Sequence, residues 1–151
     1  GVVAIRDGIY DAVVSSAPEG AIELFHGYTY SGIPAAVAAA LAVQDIFEKE
    51  NIFNRVKEIS PYFQEALHSL KDLECVENIR GYGLLGGVDI KKKDKPGKAG
   101  FEVYKACYEN GVNFKATGDA LVLAPPFISE KKHIDEIFDK IRKSINQYIR
   151  Q

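Results

Sequence analysis

Residues 26–34, His-Gly-Tyr-Thr-Tyr-Ser-Gly-Ile-Pro, place a hydroxyl-rich turn between two glycines, directly before an Ala/Val/Leu run from Ala35 to Val43. Thr29 and Ser31 supply the hydroxyl donors. Gly27 and Gly32 allow backbone conformations and a closeness of approach that larger residues forbid. Pro34 suits the first turn of a helix, where its missing N–H costs nothing. A polar loop held at a helix N-terminus favours an anion such as phosphate. The same spacing also serves as an ordinary glycine-rich helix entry with Thr29 as its cap, and residue types alone leave both readings open. His26 titrates near neutrality, yet a lone histidine here reads better as a hydrogen-bonded structural residue than as an acid or base.

Other clusters offer less. Gly81-Tyr82-Gly83 belongs to a G-x-G-x-x-G that ends at Gly86, but no strand–helix unit of dinucleotide type surrounds it, so a turn is expected. Arg80, beside it, suits a structural ion pair better than a substrate contact. Lys91–Lys93 with Lys95 and Lys98 form a basic run without interleaved aromatics, which reads as a solvated loop rather than a nucleic-acid surface. Cys75 and Cys107 are too few for a disulfide framework and form no metal-like cluster with the three histidines, so no metal site is expected.

The elements that must position these residues follow from the apolar spacing. Val2 to Ile5 is of strand type, and Ile9 to Val14 is a short helical stretch. A loop covers 15–25. Pro34 to about Lys49 is a helix apolar on nearly every face, and therefore expected to be buried. Ile52, Val56, Ile59, Phe63, Leu67 and Leu70 define a second helix, with a kink or restart expected at Pro61 and Ser60 near the cap. Val76–Tyr82 and Leu84–Ile90 read as strands. A helix through Phe101 and Tyr108 stops before Asn110-Gly111. Val112–Lys115 and Leu121–Leu123 are a further strand pair, and Ser129 caps a last helix striped by Ile134, Ile137, Phe138, Ile141, Ile145 and Ile149. Locally paired strands with separately gathered helices make an α+β layer, helices on one face of a small sheet.

A chain of 151 residues can bury a real core, and 46% hydrophobic with 26% charged residues is ordinary for a globular protein. The net charge of −2 supplies no field to hold nucleic acid or an anionic membrane. With only two cysteines, a reducing cytoplasm is the expected location; no apolar run reaches the length of a membrane span, and no basic-then-apolar leader opens the chain.

Three ordered blocks carry a resemblance: residues 23–34 with Leu41, residues 78–88 (Asn-Ile-Arg-Gly-Tyr-Gly-Leu-Leu-Gly-Gly-Val), and residues 116–126 (Ala-Thr-Gly-Asp-Ala-Leu-Val-Leu-Ala-Pro-Pro). Together they resemble the class III pyridoxal-phosphate aminotransferases, and most of all the omega-amino acid:pyruvate (beta-alanine:pyruvate) branch. The resemblance implies the C-terminal small domain of the type I PLP-dependent transferase fold, with a small, largely antiparallel sheet. Residues 1–32 would be a remnant of the large cofactor-binding domain, and 33–151 the small domain with its long interdomain helix. It further implies that Thr29, by hydroxyl and backbone N–H, binds the pyridoxal 5'-phosphate of a neighbouring subunit, with Tyr28 flanking the phosphate or substrate.

The family often has arginine for the substrate carboxylate where this chain has Lys115, and histidine where it has Ile33. An ammonium gives a point charge where a guanidinium gives a two-bond fork, so attraction survives while orientation loosens. An exposed strand-end lysine is the alternative. A transaminase also needs a Schiff-base lysine and an acidic partner for the pyridine nitrogen. By resemblance both precede Gly1; Lys49, the first lysine here, is far from that motif. No catalytic residue is therefore expected in the chain, which alone should not transaminate. The expected partners are a homodimer mate or an N-terminal large-domain polypeptide, an amino-acid or amine donor and pyruvate. A non-catalytic α+β interaction or regulatory module is the rival reading.

Overall fold

In a computed structural model that describes residues 1–24, 27–91 and 95–150, the chain forms two units, residues 1–49 and 50–151. The first holds α1 (Asp7–Ser15) and α2 (Pro34–Lys49). Val2 to Ile5 is not a strand. The apolar pattern is present, but no partner strand accompanies it among the described residues of this unit, and a strand needs a ladder to satisfy its backbone. Val2 and Val3 stand 84% and 89% exposed. The expected burial of α2 is also absent: no residue of α1 or α2 is buried. The all-round apolar surface is real, and the described residues of this unit do not cover it.

The second unit is built on α3 (Ile52–His68), whose Ile52, Ile59, Phe63 and Leu67 share the buried face. The helix runs through Pro61 without a restart. Ser60 is not its cap; the hydroxyl donates to the carbonyl of Val56 one turn back. A 3₁₀ turn (Ser69–Asp72) buries Leu70 and leads to β1 (Val76–Tyr82) and β2 (Leu85–Ile90). Next come α4 (Lys98–Glu109), β3 (Lys115–Thr117), β4 (Ala120–Leu123) and α5 (Lys131–Ile149). The last helix starts after Glu130, not Ser129: the Glu130 N–H donates to His133 Nδ1 at 3.0 Å, while Ser129 is itself buried.

The four strands pair antiparallel in the order β1-β2-β4-β3, with β1 and β3 at the edges. The α+β class expected from the strand and helix pattern is thus present. The β1–β2 register slips between Val76 and Asn78, so the outer strand bulges there. Both hairpins close through two residues with glycine first, Gly83-Leu84 and Gly118-Asp119. Each glycine has φ near +59°, the pattern of a type II′ turn. Ile79, Val88 and Leu121 pair across the sheet on the face that meets the helices; Val88 and Leu121 are fully buried. Phe63 and Phe138 join α3 to α5, ring centroids 5.5 Å apart at 61°. Arg142 of α5 makes a two-bond fork to Asp72 at 2.8 Å and donates to Ser69 O at 2.7 Å.

Candidate functional site

The first group of site residues lies on the turn that feeds α2. The Ser31 N–H donates to Tyr28 O at 2.9 Å, which puts Thr29 and Tyr30 at the two central positions of a tight turn. Gly32 follows at φ +71°, a conformation closed to most L side chains, and Ile33 O accepts the Val37 N–H at 3.0 Å. The glycine therefore sets the angle at which the loop enters the helix. Tyr28 is 59% exposed, and Thr29 and Ser31 are exposed beside it. Residues 27–34 contain no cation. Attraction for an anion would come only from hydroxyls, backbone N–H groups and the positive end of α2. This donor set fits one side of a phosphate and includes no amine that could form an imine. His26 lies outside the described residues.

Lys115 stands on β3, opposite Val122. The register runs Arg80, Gly87, Val122, Lys115 straight across the four strands, so these residues share the face opposite the helices. At about 4.8 Å per strand, the backbones of Arg80 and Lys115 are roughly 14 Å apart. Arg80 is engaged elsewhere: it pairs with Asp89, whose hydrogen bond, then its charge, raises the guanidinium pKa. The structural ion pair expected of it is present. Lys115 borders a groove of about 490 Å³ walled by Phe114, Val122, Pro125, Pro126 and Ile137. Phe114 and Lys115 also line a second, more open hollow with Phe101 and Tyr104, where Tyr104 and Phe114 pack edge to face at 5.8 Å. Lys115 thus contributes to the lining of two largely apolar hollows at this edge of the sheet.

The glycines of residues 81–87 serve packing. A Cβ on Gly81 would fall 2.3 Å from Gln64 Oε1, and one on Gly86 would fall 2.9 Å from both Leu67 methyls. The Gln64 amide donates to Gly83 O at 2.8 Å and Leu85 O at 3.3 Å, tying α3 to the hairpin tip. The turn expected at Gly81-Tyr82-Gly83 begins only at Gly83: Gly81 and Tyr82 are the last residues of β1, paired with Gly86 and Leu85.

One arrangement escaped the sequence reading. Asp119, in the β3–β4 turn, accepts the backbone N–H of Gly97 at 2.9 Å and of Gly100 at 3.1 Å, and so caps α4 from a distant part of the chain. The available signal was an omission: α4 opens at Gly97 without a side-chain cap of its own, so its free N–H groups need a partner from elsewhere.

Thr29 and Tyr28 thus share one turn of the first unit, while Lys115 belongs to the second. Cys75 and Cys107 are buried thiols, and burial pushes Cys107 up to about 11, opposed by a bond from Ser144. Lys98 lies 4.0 Å from Glu102 on the first turn of α4, while Lys92, Lys93 and Asp94 lie outside the described residues. Among the described residues no group of three or more His, Cys, Asp or Glu is placed to hold a metal. None of the described helices is long and apolar enough to cross a membrane.

Comparison with known proteins bears on both parts. The family model for class III aminotransferases matches residues 3–145. An omega-aminotransferase of Caulobacter vibrioides is 39% identical over 148 residues, covering 97% of this chain and 34% of that protein. An omega-amino acid–pyruvate aminotransferase of Pseudomonas putida is 36% identical over 155 residues, covering 99% and 34%. Among solved structures, adenosylmethionine-8-amino-7-oxononanoate aminotransferase from Methanocaldococcus jannaschii superposes with a TM-score of 0.77 at 32% identity, over 93% of this chain and 34% of that one. The chain spans about a third of the length of the curated relatives it matches.

Proposed function

The chain belongs to the class III aminotransferase family, and from that premise we propose that it is the C-terminal part of a cytoplasmic transaminase moving an amino group from an omega-amino acid or amine to pyruvate. The observation that carries this reading is the 39% identity to an omega-aminotransferase over nearly the whole chain, which spans only a third of that relative. The family's cofactor is pyridoxal 5'-phosphate, which supplies, when bound, the electron sink that stabilises a carbanion at the amino-bearing carbon.

This chain's residues do the holding. Thr29 donates its hydroxyl and backbone N–H to the cofactor phosphate of a neighbouring subunit, with Tyr28 beside it. The absence of a cation from residues 27–34 leaves the rest of the phosphate charge to groups outside this turn. Lys115 holds a substrate carboxylate, and the apolar hollows beside it exclude water from the carbon chain. Its ammonium orients a carboxylate less tightly than a guanidinium fork does. Within the longer protein, residues 1–32 would belong to the large domain and 33–151 to the small one. No residue here takes the role of the covalent lysine, so the isolated chain is inactive. The rival reading, a non-catalytic interaction module, draws on one observation: residues 50–151 enclose a hydrophobic core of their own.

The test joins this chain to its preceding coding sequence and follows alanine formation from pyruvate with beta-alanine as donor. Activity in the joined protein and none in the isolated chain is expected. Thr29→Ala in the joined protein should weaken cofactor retention by about tenfold or more, the worth of a bond to a charged group. An inactive joined protein favours the module, and undiminished retention returns Thr29 to helix capping.

A further inference from the structure

β3 is only three residues long, lies at the sheet edge and pairs with β4 alone. Such a strand gets little of its placement from its own ladder. What fixes it is the turn at its end. Asp119 Oδ2 accepts the Gly97 N–H at 2.9 Å and Oδ1 accepts the Gly100 N–H at 3.1 Å. The Ile90 N–H donates to the Asp119 carbonyl at 2.9 Å, so the turn is held from the β2 side as well. The contact with α4 is backbone on backbone: a Cβ at Gly100 would fall 2.3 Å from Gly118 O and 2.7 Å from Asp119 Cα. The carboxylate also meets the positive end of a twelve-residue helix.

We propose that Asp119 is a positioning residue for Lys115: by clamping the β3–β4 turn onto the first turn of α4, its carboxylate fixes where the Lys115 ammonium is presented to a substrate carboxylate. The functional half rests on the reading of Lys115 given above; the structural half does not. A residue that only capped α4 would lower stability everywhere in the unit and leave substrate discrimination alone.

Amide hydrogen exchange on the full 151-residue chain tests the structural half. In Asp119→Ala, amides of 115–117 and 120–123 should exchange about tenfold faster while those of α5 keep their protection, as expected of local rather than global opening. Uniform acceleration across the unit, or none in the hairpin, overturns the proposal. The functional half is read in the protein joined to its preceding segment. Asp119→Ala should raise KM for beta-alanine about tenfold with little change in kcat, and leave KM unchanged for an amine donor that lacks a carboxylate. Asp119→Asn, which keeps one oxygen acceptor, should recover part of the loss. Asp119→Ala added to Lys115→Ala should cost nothing further, since both act through one contact. Equal KM changes for both donors would overturn the positioning role. An unchanged KM for beta-alanine in Lys115→Ala would instead sink the reading of Lys115, leaving the exchange result to judge the clamp.

Discussion

Leu41 and Leu67 sit on helices of nearly equal length, α2 with 16 residues and α3 with 17, yet Leu41 is 65% exposed and Leu67 fully buried. The difference lies in what each unit brings to its helix. On α3, Lys57, Glu58 and Glu65 restrict the apolar residues to one side, and the sheet and α5 meet that side. On α2 there is no polar side until Gln44, and among the described residues of 1–49 there is no sheet to meet any face. A helix apolar all round is built for neighbours all round, and its own unit does not supply them. Amphipathic segments make a self-sufficient unit; a uniformly apolar one marks dependence on something else.

The sharpest way to break this contrast is to truncate matched side chains. Leu67→Ala should lower stability in urea unfolding by about 2–5 kcal/mol, since it leaves a cavity against Phe63 and Gly86. Leu41→Ala should change it by less than about 0.5 kcal/mol. Comparable losses would show that α2 is as firmly packed as α3.

Removing residues 1–49 comes next in size. The remaining unit should unfold in one step, its midpoint within about 4–8 °C of the parent, equivalent to about 1 kcal/mol in a domain of this size. The full chain should self-associate and bind an apolar dye through the exposed Val37, Leu41, Val43 and Ile46; the shortened chain should do neither. A shortened chain that fails to fold would make the second unit dependent on the first.

The smallest effect concerns Cys107. Its thiol is raised from 9.0 to about 11 chiefly by burial. The unfolded thiol ionises first, so the stability linked to this group is complete below pH 9 and lost as pH rises towards 11. Unfolding measured across pH 9–11 should therefore fall less steeply in Cys107→Ala than in the parent; parallel slopes would mean that the thiol is not buried as described.

Most of the fold was legible because it rests on local patterns. The α2 boundaries, the α3 and α5 stripes and the glycine of each hairpin are written in neighbouring residues. What escaped was non-local. Val2–Ile5 carries a strand pattern without a partner, and Glu130 took the cap from Ser129 because His133 sits three residues on. Ser60 turned its hydroxyl back to Val56, and Pro61 lies inside one continuous helix. The candidate site was legible only through its family motifs. Thr29 shows two hydroxyl neighbours and a turn, and Lys115 shows one charge on a strand. Asp119 gave no local sign, since its partners lie about twenty residues earlier in the chain.

The edges of the sheet have a consequence for how copies of this protein can meet. An open strand offers its backbone to any similar strand, and long flat edges seed fibres. Here β3 is too short to template much and carries Lys115 along its exposed side, while β1 is bent by its irregular register and lined with Glu77 and Arg80. Strand-to-strand growth is blocked at both ends. Crowding this chain should yield finite helical clusters rather than cross-β filaments.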